Sequence, residues 1–173
     1  MKNGARAMPP LGLAKASEGD DFRLEDFLPY QLAVAASRVS RLMSQCYSGT
    51  YGLTIPEWRV LATIARFGTA SPTDVGEWTA MDKVKVSRAA ASLVARGLIR
   101  QSPDPNDGRG RRLSMTRQGR GLYERIVPQA RSLEAALAEG VGRSHWTALS
   151  TALMRLNEHV RNAERAEEED AMA

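Results

Sequence analysis

Apolar residues recur every three or four positions through most of this chain. Between Phe22 and about Ser48 they fall at Leu28, Leu32, Ala35, Val39, Leu42, Met43 and Cys46, the stripe of one long amphipathic helix that Gly49 and Gly52 should end. Thr54, Ile55, Pro56 and Glu57 then have the form of a capping box. A threonine hydroxyl can accept the N–H three residues on, a glutamate there can reach back, and proline is tolerated in the first turn. Trp58, Leu61, Ala62, Ile64 and Ala65 carry this second helix to Phe67 and Gly68. Ser71, Pro72, Thr73 and Asp74 repeat the start signal and predict a short helix to about Trp78.

After a turn near Ala80, Asp82 can cap a further helix in which Val86, Ala90, Leu93 and Gly97 fall at spacings of four, three and four. Burying that stripe leaves Lys83, Lys85, Ser87, Arg88 and Ala91 facing outward. Two short helices joined by a tight turn make a helix-turn-helix, in which the N-terminal half of the second helix contacts bases. Two short strands follow, Leu98 to Gln101 and Arg112 to Met115. The turn between them, from Pro103 to Gly108, is rich in Pro, Asp, Asn and Gly. Thr116 opens another helical segment through Leu122, Ile126, Val127, Leu133 and Leu137, with Pro128 expected to kink it. Ser144 is expected to cap a last helix carrying Trp146, Leu149, Leu153, Leu156 and Val160. The pattern lapses at both ends: residues 1–20 read as a disordered arm, and Glu164 to Asp170, within an acidic tail at 164–173, as a frayed end.

Composition agrees with a mainly α fold bearing a small β-hairpin. Of 173 residues 43% are apolar and only 6% aromatic, with Ala, Leu, Arg and Glu abundant and β-branched runs few. No uninterrupted apolar stretch approaches the roughly 18 to 20 residues of a membrane span. No apolar core follows the basic N-terminus as in a signal peptide, so a cytoplasmic protein with no membrane partner is expected. Cys46 stands alone, which excludes an intrachain disulfide and suits a reducing compartment.

Charge sharpens this picture. From Lys83 to Arg125 there are eleven Lys or Arg against Asp104, Asp107 and Glu124, a net of +8, whereas the whole chain carries only +4. Such concentration is the electrostatic footprint of a surface for double-stranded DNA, where phosphate neutralisation and counterion release supply much of the affinity. Ser87 and Arg88 are the candidates for base edges. Lys83, Lys85, Arg111 and Arg112 are candidates for phosphates, contacts that position a protein without specifying sequence.

Catalytic chemistry is not indicated. No cysteine cluster, His-rich run, glycine-rich phosphate loop or serine elbow is present, so neither an enzyme, a cofactor nor a metal is expected. His145 and His159 lie fourteen residues apart in one helix, about 21 Å at the standard rise, too far to share an ion within one chain. Cys46 has Tyr47 beside it but no basic group in sequence to activate a thiolate, and reads as a packed structural residue rather than a redox sensor.

Four segments in order carry a family resemblance: LTIPEWRVLATIARFG (Leu53 to Gly68), AMDKVKVSR (Ala80 to Arg88), LVARGLIR (Leu93 to Arg100) and DPNDGRGRRLSMT (Asp104 to Thr116). Over about Asp26 to Val160 the chain resembles the MarR family of bacterial transcription regulators. The resemblance implies a homodimer with winged helix-turn-helix DNA-binding domains at 53–116 and a helical dimerisation region from 21–50 and 117–163. It further implies that Arg109, in the wing-tip Asp107-Gly108-Arg109, enters the minor groove while Asp107 holds the wing. In many relatives the junction of the first two helices lines an effector pocket, here Tyr30, Arg38, Tyr47, Trp58 and Arg59; the same residues also suit ordinary core and a surface ion pair. FLPY (Phe27 to Tyr30) and EWRVL (Glu57 to Leu61) look like the branch that governs breakdown of aromatic acids, sometimes as coenzyme A thioesters. A repressor released from a palindromic operator by such a ligand is therefore expected. The alternatives are a ligand-independent or activating regulator and a winged-helix scaffold for protein partners.

Overall fold

A computed structural model describes residues 22–105 and 110–171. The expected arm at 1–20 and the wing-tip residues Asp107 and Arg109 lie outside them. The element order is a 3-10 turn (Leu24–Asp26), α1 (Leu28–Tyr51), α2 (Ile55–Phe67), β1 (Thr69–Ala70), α3 (Pro72–Thr79), α4 (Lys83–Ala95), β2 (Ile99–Pro103), β3 (Arg111–Met115), α5 (Arg117–Val141) and α6 (Arg143–Ala171). The fold is mainly α with a small antiparallel sheet, as the periodicity implies.

Local chemistry sets most boundaries. Thr54 and Glu57 form the full capping box of α2, and Ser71 and Asp74 that of α3, each with proline in the first turn. The Asp82 carboxylate accepts the Lys85 N–H at 2.7 Å and starts α4. Between α3 and α4, Ala80 takes a left-handed conformation, φ 50°, as the turn requires. A side chain there costs about 1 kcal/mol or more, so packing on both sides must hold it. Helix α1 passes through Gly49 and ends one turn later than expected, where Gly52 at φ 60° donates its N–H to the Ser48 carbonyl.

The chain divides into two compact units. Leu24–Ala135 contains every buried side chain of the described residues. Its core takes Tyr47 from α1, Val60, Leu61 and Ile64 from α2, Val75 from α3, Val86 and Leu93 from α4, Leu113 from β3 and Ile126 from α5. Burying each such side chain contributes about 1.5–3 kcal/mol. The sheet runs β1-β3-β2, with Ala70 opposite Leu113 and Gln101 opposite Leu113 on the other side. The two-residue strand β1 is too short to leave an alternating signal and was not expected.

Of the second unit, residues 22–23 and 136–171 are described. Helix α6 starts where the Trp146 N–H reaches the Gly142 carbonyl, so Ser144 lies within the first turn instead of capping it. It continues through the acidic segment to Ala171, where a frayed end was expected. None of its side chains is buried among the described residues, and Leu149, Met154, Leu156 and Val160 are all exposed.

Thr116 joins wing to α5: its hydroxyl donates to the Gly97 and Leu98 carbonyls and accepts the Gly119 N–H. This draws α5 so close that a Cβ on Gly119 would lie 2.0 Å from the Leu98 carbonyl oxygen, while one on Gly121 meets nothing within 4 Å. Gly119→Ala should therefore destabilise by at least about 2 kcal/mol through overpacking, lowering the thermal midpoint by roughly 4–8 °C. Gly121→Ala should be neutral or stabilise by up to about 1 kcal/mol through helix propensity. Melting curves of the two variants check the contrast.

Candidate nucleic-acid interface

Helix α4 has two sharply different sides. Val86, Ala89, Ala90 and Leu93 are buried against the rest of the lobe, while Lys83, Val84, Lys85, Ser87, Arg88 and Ala91 are exposed. Of the expected inward stripe Val86, Ala90 and Leu93 are buried, joined by Ala89, whereas Gly97 is exposed beyond the end of α4; the expected outward residues are exposed, the charged ones on the first two turns. The free N–H groups and positive dipole end of the helix lie at the same place, which adds to the attraction for phosphate. Lys85 is partly committed: its Nζ lies 3.0 Å from Asp82, whose carboxyl the Lys85 N–H and ammonium hold below its ordinary pKa.

Beside this helix stands the hairpin of β2 and β3, paired from Ile99 opposite Met115 to Pro103 opposite Arg111. Ile99 and Leu113 root it in the core. Arg111 is exposed. Arg112, expected at a phosphate, is half-buried and paired within the lobe: its Nε donates to Asp104 at 2.8 Å, and Nη1 lies 3.8 Å from Asp74 at the start of α3. It fastens the wing to the helix-turn-helix. Arg100 likewise donates to the Ser114 hydroxyl across the hairpin at 2.8 Å.

What holds α4 in place was only half visible in sequence. Glu57 is 5% exposed. Its Oε2 accepts the Thr54 N–H at 2.7 Å and hydroxyl at 2.8 Å, completing the cap of α2; its Oε1 accepts the Ser92 hydroxyl of α4 and faces Arg96 Nη1 at 3.8 Å. Arg96, which ends α4, donates in turn to the Gly52 carbonyl at 2.8 Å and the Tyr51 carbonyl at 3.0 Å, the last carbonyls of α1. Burial alone would raise the Glu57 pKa. The Ser92 hydroxyl, the Thr54 donors and the Arg96 charge outweigh it and hold the carboxyl below its ordinary value. The capping box pointed to one oxygen of this carboxylate; nothing in the spacing pointed to Ser92, 35 residues on.

The five residues considered for an effector pocket do not converge. Tyr47 and Trp58 stack with centroids 5.0 Å apart, and Tyr123 of α5, not foreseen, stacks on the other side of Trp58 at 5.5 Å. Their faces are thus occupied by one another. The Tyr47 hydroxyl is buried without a hydrogen-bond partner among the described residues, and burial, then the neighbouring Cys46, raises its pKa. Tyr30, Arg38 and Arg59 are exposed. Tyr30 sits seventeen residues up α1 from Tyr47, about 25 Å at the helical rise. Cys46 is half-buried, and among the described residues no group of three or more His, Cys, Asp or Glu could hold a metal ion. Nor is any described helix long and apolar enough to cross a membrane.

With this geometry in view, comparison with known proteins gives a consistent result. The MarR family model (MarR_2) matches residues 51–110, from the end of α1 to the wing. The chain is 28% identical over 114 residues to the HTH-type transcriptional repressor IacR of Pseudomonas putida, covering 66% of this chain and 68% of that one. It is 30% identical over 81 residues to the repressor NicR of P. putida KT2440, a match spanning 47% of this chain and about half of NicR. Among solved structures it is similar to BpsR of Bordetella bronchiseptica, whose DNA binding is regulated by 6-hydroxynicotinic acid. There the TM-score is 0.73 and the identity 26%, covering 79% of this chain and 97% of that one.

The Glu57 network has a pH signature. Because its folded pKa is depressed, its contribution is fully present above the ordinary carboxylate range and is lost as pH falls through the lowered value. Glu57→Gln should cost about 2–4 kcal/mol at pH 7, and its deficit relative to wild type should shrink on acidification below about pH 4. Ser92→Ala, which removes one donor, should cost about 1–2 kcal/mol. Denaturant melts between pH 7 and pH 3 measure all three.

Proposed function

We propose that the chain is a regulator of the MarR type, a dimeric, sequence-specific repressor released from its operator by a small aromatic acid or the corresponding acyl-CoA. The observation that carries the DNA-binding reading is α4 itself, rooted by Val86 and Leu93 and presenting Lys83, Ser87 and Arg88 beside an antiparallel wing. Such a helix fits the major groove, with Ser87 and Arg88 at base edges and Lys83 and Arg111 at phosphates. Lys85 keeps a phosphate role only in exchange for its Asp82 pair. Arg112 acts indirectly, by holding the wing. Asp107 and Arg109 at the wing tip retain the roles that family resemblance gives them.

The unburied apolar stripe of α6 supports a dimer, since a helix with no interior contact of its own needs a partner surface. Two copies about a two-fold axis would place their recognition helices about 34 Å apart, one helical turn, so the operator should be an imperfect palindrome. The names of IacR and NicR support repression, and the acid that regulates BpsR supports an aromatic carboxylate as effector. An effector that prefers a lobe spacing unsuited to DNA would lower the competent population, and DNA would weaken the effector equally.

Gel-shift titration with duplexes from the gene's own promoter region tests this reading. A palindromic segment should bind about a thousandfold or more tighter than scrambled duplex, and equal affinity would remove sequence-specific regulation. Arg88→Ala should cost about 1–3 kcal/mol and relax base preference at one position of each half-site.

A further inference from the structure

Helix α5 is unevenly secured to the lobe it leaves. Its buried residues, Gly119, Leu122 and Ile126, all precede Pro128, and past that proline no side chain of the helix is buried among the described residues. Pro128 is also the point at which the helix is easiest to bend. It has no N–H to give the Glu124 carbonyl, and its ring crowds that carbonyl, although α5 runs unbroken from Arg117 to Val141. Tyr51, the last residue of α1, takes hold on both sides of this turn. Its hydroxyl donates to the Arg125 carbonyl at 3.2 Å, three residues before the proline, and accepts the Gln129 amide at 2.8 Å, one residue after it. Tyr51 is itself held at its base: its own carbonyl accepts Arg96 Nη2 at 3.0 Å, Gly52 closes α1 at φ 60°, and Leu53 beyond it is buried.

We propose that Tyr51 is a positioning residue for operator recognition, splinting α5 across Pro128 and so fixing the direction in which the helix leaves the DNA-binding lobe. A phenol suits that task. Its one hydroxyl can donate to a carbonyl and accept from an amide at once, and the rigid ring leaves only two torsions to order. Small angles matter here. The thirteen residues from Gln129 to Val141 span about 20 Å at the helical rise, so a change of about 10° at the turn displaces their far end by about 3.4 Å, the step of one base pair. In the proposed dimer α5 carries the chain from the lobe to the dimerisation region. The splint therefore acts on the separation of the two recognition helices and not on the bases that either one reads.

The inference rests on the dimeric operator-binding reading given above. Gel-shift titration of the full-length protein tests it, on the promoter duplex the protein selects and on two versions with the half-sites moved one base pair closer or further apart. Wild type should bind the altered spacings about tenfold or more weakly. Tyr51→Phe, which keeps the ring and removes the hydroxyl, should bind the natural spacing about threefold more weakly. Its penalty for altered spacing should shrink by about threefold or more, with base preference within each half-site unchanged. Gln129→Ala, at an exposed position, should do the same and serves if Tyr51→Phe does not fold. Pro128→Ala restores the missing N–H, so adding Tyr51→Phe to it should change the spacing penalty by less than about twofold. A wild type indifferent to spacing, or variants that lose affinity equally on all three duplexes as their melting midpoints fall, would overturn the splint and leave operator recognition intact. If no duplex is preferred over scrambled sequence, the splint falls together with the operator reading.

Discussion

A single buried carboxylate sets the geometry on which the DNA-facing surface depends. Hydrophobic packing of Val86 and Leu93 can hold α4 against the lobe, but such contacts are non-directional and leave a helix free to rotate or slide slightly. Glu57 removes that freedom, because one oxygen is fixed by the start of α2 and the other by Ser92 and Arg96 of α4. Burying a charge is favourable only when its donors are all in place, so the network tolerates one arrangement of three helices and penalises the rest. The orientation of Lys83, Ser87 and Arg88 follows from an anion of α2 that grips their helix at Ser92, about one to two and a half turns further along.

Cations in this lobe fall into two groups that net charge does not distinguish. Lys83, Arg88 and Arg111 are exposed and, in the proposed complex, would meet phosphate or base. Arg96, Arg100 and Arg112 are tied to carbonyls, a hydroxyl and carboxylates of the protein itself. An arginine already engaged in an internal pair contributes little counterion release when DNA arrives, so the +8 of the segment overstates the charge available at the interface.

How much of this could be read from the chain follows from the range of the interactions involved. Caps act over three residues, and the starts of α2, α3 and α4 at Thr54, Ser71 and Asp82 were legible at once. Helical periodicity located Val86, Ala90 and Leu93 on the core face of α4, missed Ala89 and included Gly97, which is exposed past the end of the helix. Contacts that join distant segments left no such trace. Two residues of β1 carry no period, the Arg112 pair with Asp74 spans 38 positions, and Tyr123 reaches Trp58 from another helix. The aromatic junction suited either an effector pocket or ordinary core, and its rings stack on each other as core.

Helix α6 gives the molecule a different kind of dependence. Among the described residues none of its side chains is buried, so it draws little order from the interior of one chain, whereas most helical stability in proteins comes from packing an amphipathic face. In the proposed two-fold assembly the order of that end is a bimolecular property. Its free energy scales with the logarithm of protomer concentration, so the number of copies in a cell is itself a thermodynamic variable of the fold.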